Sequence, residues 1–399
     1  MSLNNVKVVK KDGTKEEFNV QKVVVAVNKS AYRALIKFSQ KDIDFICHFV
    51  EEKVEELGVH EIQIPEMHNI VEGALEKVNP IVAKSYRDYR NYKQDFVQML
   101  DEVYKKSQSI MYIGDKENSN TDSALVSTKR SLIFNELNKE LYKKFFLTVE
   151  ELQAIREGYI YIHDMSARRD TMNCCLFDVK SVLTGGFEMG NLWYNEPKTL
   201  DTAFDVIGDI VLSAASQQYG GFTVPSVDEI LEPYAKRSHE NHLNKYRSLG
   251  LSEEVAQEIA WKDLEKEMEQ GFQGWEYKFN SVSSSRGDYP FITMTSGTDI
   301  SEYGKLVTKT MLEVRAGGQG KPGHKKPVLF PKIVFLYDEN LHGPGKPGED
   351  LFEAGIECSR KTMYPDWLSL TGKGYVPSIY KRYGKGISPM GCRAFLSPW

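Results

Sequence analysis

The chain has 399 residues, with 51 Lys+Arg against 56 Asp+Glu and only five cysteines. At roughly 100–200 residues per domain this predicts two to three domains and a large buried core. A net charge of −5 argues against a dedicated nucleic-acid binder, and no apolar run approaches the ~20 residues that span a bilayer. The start, Met1-Ser2-Leu3-Asn4-Asn5, lacks the apolar core of a signal peptide. Five thiols are too few for a disulfide framework, so a reducing cytoplasm is expected, with no direct nucleic-acid or membrane binding. The final stretch, Arg393-Ala394-Phe395-Leu396-Ser397-Pro398-Trp399, is apolar and reads as a strand cut through. On that reading 399 residues is not the natural length.

Residues 6–9 and 16–18 flank Asp12-Gly13 and predict a short hairpin. Asn19 caps a predicted helix from about 21 to 37, and a second helix fits 42–57. Pro65 opens a third, and a fourth follows Asn79-Pro80, so the first ~95 residues form a hairpin with four helices. The polar stretch 96–120 reads as a linker. Beyond it, helical patterns at 147–157, 200–219, 225–246, 252–268, 300–315 and 349–362 alternate with short apolar runs. Those runs are 158–162, 174–183, 291–295 and 328–337, the last being the strongest buried-strand candidate. Strands alternating with helices predict an α/β domain with much parallel sheet.

Two stretches match G-x-G-x-x-G: Gly318-Gln319-Gly320-Lys321-Pro322-Gly323 and Gly343-Pro344-Gly345-Lys346-Pro347-Gly348. A dinucleotide fingerprint must follow a strand and open a helix. The first stretch instead precedes the 328–337 strand and both contain Pro, so flexible basic loops are expected. The common ATPase, zinc-protease and α/β-hydrolase signatures are absent. His163-Asp164, after the 158–162 run, either points into a site or caps a turn. Cys47 and Cys358 read as buried members of helix faces. Cys174-Cys175 start a strand, where successive side chains face opposite ways, so one can face a site while the other packs. Cys392 sits on a Pro/Gly loop, Ser388-Pro389-Met390-Gly391-Cys392-Arg393, and with Cys174 is a candidate for catalysis.

Taken together, the motifs resemble the anaerobic (class III) ribonucleoside-triphosphate reductases, which are glycyl-radical enzymes. Val8-Val9-Lys10-Lys11-Asp12-Gly13, Phe18, Lys22 and Ala83-Lys84-Ser85-Tyr86-Arg87-Asp88-Tyr89-Arg90 look like an ATP-cone, a regulatory nucleotide-binding module. Tyr161-Ile162-His163-Asp164, Asn173-Cys174 and the run from Leu183 to Asn191 look like the start of the reductase barrel. Tyr219-Gly220-Gly221, Phe330-Pro331-Lys332, Met363-Tyr364-Pro365-Asp366 and Met390-Gly391-Cys392-Arg393 continue it in the family's order.

The resemblance implies an α/β fold. A mostly helical ATP-cone (1–95) and a linker (96–125) precede a ten-stranded barrel of two parallel five-stranded halves, incomplete here (126–399). It implies a thiyl radical on Cys392 that abstracts hydrogen from C3′ of the ribose, with Cys174 protonating the departing 2′-hydroxyl. His163, Asp164 and Asn173 are candidates for orienting substrate or reductant. Lys10, Lys11, Lys22, His68, Lys84 and Arg87 are candidates for binding ATP, the activator, and dATP, the inhibitor. Formate or a thioredoxin-like protein is the implied reductant, and a radical S-adenosylmethionine iron–sulfur enzyme the activating partner. A homodimer is implied, with a deoxynucleotide specificity site within the 200–246 helices. The radical glycine and the four-cysteine zinc site are expected beyond residue 399, so the 399-residue chain by itself is expected to lack turnover. Rival readings are a pyruvate formate-lyase-like enzyme, suggested by the adjacent Cys174-Cys175, and a non-catalytic ATP-cone sensor.

Overall fold

The computed structural model describes residues 6–10, 12–113, 124–169, 171–284, 287–384, 388–391 and 395. The chain divides into two compact units, residues 1–104 and 105–399.

In the first unit, β1 (Lys7–Val9) and β2 (Lys15–Glu17) pair antiparallel across the expected Asp12-Gly13 turn. Four helices follow: α1 (Val20–Arg33), α2 (Gln40–Leu57), α3 (Ile64–Val78) and α4 (Pro80–Ile113). Asn19 caps α1 by accepting the Gln21 N–H at 2.9 Å, which leaves one fewer unpaired amide in the first turn. Ser39 and Asp42 form a reciprocal capping box on α2. Between α2 and α3 lies β3 (Glu61–Gln63), which joins the hairpin parallel to β1 and places Val8 beside Ile62. This strand is too short to show a period in sequence, and only its pairing with β1 reveals it. Val23, Val27, Ile46, Val50, Ile62, Val71, Leu75 and Val82 close the core of the unit. The polar stretch read as a linker is helical as far as Ile113. Its polarity belongs to an exposed helix surface rather than to irregular chain.

The second unit opens with α5 (Val126–Phe146) and α6 (Val149–Arg156), the latter capped by Thr148 and Glu151. The run 158–162 forms no strand, and Tyr159 and Tyr161 are exposed. A short 3₁₀ turn (Met165–Ala167) leads to β4 (Cys175–Leu176), α7 (Val179–Leu183) and a hairpin of β5 (Phe187–Met189) and β6 (Leu192–Tyr194). Then come α8 (Leu200–Ser216), β7 (Phe222–Val224), α9 (Val227–Ser248), α10 (Glu253–Ser281), β8 (Ile292–Ser296) and α11 (Glu302–Gly317). The order ends with β9 (Lys332–Tyr337), α12 (Glu339–His342), α13 (Glu349–Thr362), β10 (Asp366–Ser369) and α14 (Tyr375–Tyr383).

Strands β10-β9-β8-β7-β4 form one five-stranded sheet in which every pair is parallel. That is the strand number and direction of one half of the barrel described above. The pleat sends alternate residues to opposite faces. Phe222, Val224, Ile292, Met294, Ile333 and Phe335 join the main core with residues of α8, α9, α10 and α11. Val334, Leu336 and Leu368 face the other way, packing with Leu370, Val376 and Phe395.

Two buried polar groups tie helices to the sheet. Fully buried Arg315 on α11 donates to Glu276 on α10 at 2.6 Å and to the Pro331 carbonyl at 2.7 Å. Asp228 on α9 accepts the amides of Gly297 (2.8 Å) and Asp299 (3.0 Å), just beyond β8. Burial pushes the Asp228 carboxyl up to about 6, against the pull of those two amides. Because the folded state holds this proton more tightly than the unfolded chain (about 3.9), the group favours folding most below about pH 4. That contribution declines as pH rises through about 6, by on the order of 2–3 kcal/mol. Asp228→Asn is expected to flatten this part of the stability–pH curve in denaturant titrations. An unchanged slope between about pH 4 and 6 would contradict the assignment.

Candidate nucleotide cavity and thiol site

The first unit encloses a cavity of about 710 Å³ between α1, α3 and α4. Its lining carries Lys10, Lys22, Lys29, Arg33, Arg90 and Lys93, with no Asp or Glu among the lining residues. Such a lining favours a polyanion. Lys10 and Lys22 both pair with Glu16, Lys10 at 2.6 Å. Tyr86, Tyr89 and His68 add an aromatic side to the wall. The Arg33 guanidinium stacks 4.1 Å from the Tyr89 ring centre, and the Tyr86 hydroxyl lies 2.6 Å from His68 Nδ1. Burial raises the Tyr86 phenol to about 12, which keeps it neutral.

Lys10, Lys22 and His68 therefore line one cavity. Lys11 lies outside the described residues. Lys84 and Arg87 are not among the lining residues. Lys84 is exposed, and Arg87 pairs with Glu72 and Glu76 on α3. The reason is helical phase. Tyr86, Tyr89, Arg90, Lys93 and Val97 recur at the three- and four-residue spacing of one helix face. Lys84 falls roughly opposite that face and Arg87 to its side. Phase counted from Tyr86 would have found Arg90 and Lys93. Arg33 and Lys29 on α1 had no such signal.

The thiol site lies at the start of β4 and β7. The Met172–Gln218 bridge and the Cys175–Phe222 register align the two segments. Half-buried Cys174 accepts the Gly221 N–H at 3.3 Å. Cys175 faces the opposite way, packs against the main core, and accepts from Gln218 Nε2 at 2.7 Å. Burial pushes the Cys175 thiol up, partly offset by that hydrogen bond. The vicinal pair is thus split by the pleat, with Cys175 on the packing side.

Cys392 lies outside the described residues, but Gly391, its chain neighbour, does not. The 388–391 loop lies on the face of the sheet opposite the main core. The Ser388 and Thr295 hydroxyls lie 2.8 Å apart, and Thr223 Oγ1 donates to the Pro389 carbonyl at 3.0 Å. Gly391 packs against Gly221 and Phe291. The Thr293 hydroxyl on the same face is buried with no hydrogen-bond partner among the described residues.

Asn173 is exposed, and its carbonyl accepts the Gly220 N–H at 2.6 Å. His163 is largely exposed and meets Asp164 at 3.2 Å, while Asp164 sits in a left-handed turn. Beyond that turn, Ser166 donates to the Tyr219 hydroxyl at 3.4 Å. Cys358 is buried and Cys47 half-buried, and burial raises both thiols. The glycine-rich stretches take other roles. Gly318 follows the C-terminal end of α11, so the first stretch opens no helix. The second precedes α13, where the Glu349 carboxylate accepts the Gly345 N–H and its charge disfavours a phosphate. Among the described residues no helix is long and apolar enough to cross a membrane.

A parallel α/β sheet thus carries the Cys174 site, and a separate helical unit holds a cavity whose charge suits a polyanion. Residues 117–398 match the family model "Anaerobic ribonucleoside-triphosphate reductase", and residues 6–95 match "ATP cone domain". The chain belongs to the anaerobic ribonucleoside-triphosphate reductase family. It is 32% identical over 409 residues to the anaerobic ribonucleoside-triphosphate reductase of Haemophilus influenzae, covering 100% of this chain and 56% of that one. The enzyme of that name from enterobacteria phage T4 is 34% identical over 287 residues, 71% of this chain and 46% of the relative. A crystal structure of the anaerobic ribonucleotide reductase from Thermotoga maritima aligns at 16% identity and a TM-score of 0.48, over 71% of this chain and 50% of that one. The chain spans about half the length of the curated relatives it matches.

The split of the vicinal thiols is directly measurable. Under iodoacetamide at pH 8, Cys174 is expected to be alkylated well ahead of Cys175 and Cys358, resolved by peptide mass spectrometry. Equal rates for Cys174 and Cys175 would contradict their placement on opposite faces.

Proposed function

We propose that this chain supplies the nucleotide-sensing module and the two-thiol sheet of an enzyme that reduces ribonucleoside triphosphates to 2′-deoxyribonucleoside triphosphates without oxygen, for DNA synthesis in the cytoplasm. The seat at Gly221 carries the reading. There the loop leading to Cys392 meets the strand whose amide holds Cys174. Residues 1–95 are read as the regulatory module, 96–125 as the connection and 126–399 as the first portion of the catalytic barrel.

The family's glycyl radical, when present, supplies the unpaired electron that makes the sulfur of Cys392 a hydrogen-abstracting group. Cys392 takes the hydrogen atom from C3′ of the ribose, which weakens the neighbouring C2′–O bond. Cys174 delivers the proton with which the 2′-hydroxyl leaves as water, and its sulfur then shares in the reduction at C2′. His163, Asp164 and Asn173 are read as orienting the substrate or the reductant, formate or a thioredoxin-like protein. The 388–391 loop, closed over Thr223 and Thr295, keeps solvent from this face. An activating iron–sulfur enzyme that uses S-adenosylmethionine and a second copy of the chain complete the assembly.

In the regulatory module, six cations without a lining carboxylate suit a triphosphate, and the His68–Tyr86–Tyr89 wall suits a purine and its sugar. A volume of about 710 Å³ falls in the range of small-molecule sites. ATP and dATP are the ligands of this reading, with Lys10, Lys22, Arg33 and Arg90 on the phosphates.

In anaerobic assays of the native protein with its activating enzyme and formate, Cys174→Ser or Cys392→Ser is expected to abolish deoxynucleotide formation. Product from either variant would sink the catalytic reading. By calorimetry, Lys22→Ala or Arg33→Ala should weaken ATP binding about tenfold, the loss of one charge-assisted contact. Lys84→Ala, on the far side of α4, should leave it unchanged. Undiminished affinity in Lys22→Ala and Arg33→Ala would remove ATP from this cavity.

A further inference from the structure

Two glycines are in contact where the 388–391 loop meets the residue before β7. A methyl group on Gly221 would lie 2.8 Å from Gly391 Cα and 2.9 Å from its nitrogen. The relation is reciprocal, since a methyl on Gly391 would lie 2.9 Å from Gly221 Cα and 3.1 Å from the Phe291 ring. Neither glycine has a left-handed φ. Glycine is therefore required here by close approach of two backbones and not by conformational freedom. Both clashes are with main chain or a packed ring, which cannot swing aside as a flexible side chain would. The rest of the loop is pinned, through Ser388 to Thr295 and Pro389 to Thr223, so displacement at Gly391 has little room to dissipate toward the preceding residues.

Gly221 also faces β4. Its N–H donates to Cys174 Sγ at 3.3 Å, and the Cys175–Phe222 pairing sets that edge in register. We infer that Gly221 is a positioning residue for both thiol-bearing segments, its amide holding the Cys174 sulfur while its bare Cα admits the loop that leads into Cys392. The inference rests on the two-thiol reading above and adds the residue at which the 388–391 loop and the Cys174 segment meet. Reacting atoms must come within about 3–3.5 Å, and misplacement by about 1 Å costs on the order of 10²-fold in rate. An alanine at either glycine shifts the loop by a distance of that kind while leaving the Gly221 amide in place.

The test uses the intact chain and diamide, which takes up two electrons and two protons as two thiols form one disulfide. The Cys174–Cys392 cross-link is followed by peptide mass spectrometry. The parent chain is expected to form it, and Gly221→Ala and Gly391→Ala each to slow it about tenfold or more. Gly274→Ala on α10, where an added methyl meets nothing within 4 Å, should match the parent. Cys358 alkylation serves as the second readout, because general loosening of the core would expose that buried thiol and a shift confined to the seat would not. Slowed cross-linking with Cys358 still protected in either glycine variant supports the inference. Cross-linking at the parental rate in both variants overturns it alone, and so does a slowing seen only with Cys358 exposed in both. Absence of the cross-link in the parent overturns the two-thiol reading and the inference with it.

Discussion

The pleat of the parallel sheet is the constraint on which the catalytic unit depends. One face must be apolar, because the helices of that unit bury it in a single core, and Phe222, Ile292, Met294 and Phe335 meet that demand. The alternate positions are thereby released for other chemistry. Thr223, Thr293 and Thr295 occupy them on β7 and β8, and the loop from Ser388 lies across that row. The same alternation gives the vicinal thiols different lives. Cys175 is drawn into the packing side, where burial keeps its proton on, and Cys174 meets the amide of the neighbouring strand.

Two fully buried charges, Arg315 and Asp228, join one element to another. Arg315 joins α11 to α10 and to the chain entering β9. Leaving either partner of such a pair alone would cost about 3–5 kcal/mol, so the ion pair specifies how these elements meet more than it adds to stability. Asp228 joins α9 to the turn after β8, and His342 reaches the carbonyl of the same Gly297 at 2.7 Å. Gly297 is thus held through both its N–H and its carbonyl at the end of the strand. The regulatory unit follows a different logic. Its core is apolar, and six cations line its cavity, of which Glu16 and Glu72 hold Lys10, Lys22 and Arg90.

Much of the secondary structure was legible because it is written in local periods and caps. Asn19 marks the start of α1 by pairing an orphan amide, whereas the capping boxes of Ser39 with Asp42 and Thr148 with Glu151 emerged only in the structure. The run ending at Tyr337 gave β9, shortened at its start by Pro331, which cannot donate to a ladder. The run 158–162 looked equally apolar yet forms no strand, since nothing in a short run says whether a partner strand exists. The polar stretch after residue 95 hid a helix for the opposite reason, because an exposed helix needs no apolar stripe to be continuous with a buried one.

The sequence by itself determined the helical N-terminal module, the Asn19 cap, the candidate thiols and the family resemblance, all carried by residue identity and short-range spacing. Tertiary structure decided which cations share a cavity, placing Arg33 and Arg90 there and leaving Lys84 outside, because residues from α1, α3 and α4 meet only after packing. It also separated Cys174 from Cys175 and brought Gly221 against Gly391, residues 170 positions apart in the numbering. Such a contact leaves no local trace in sequence. A glycine needed for close approach looks like any other until the second backbone is in place.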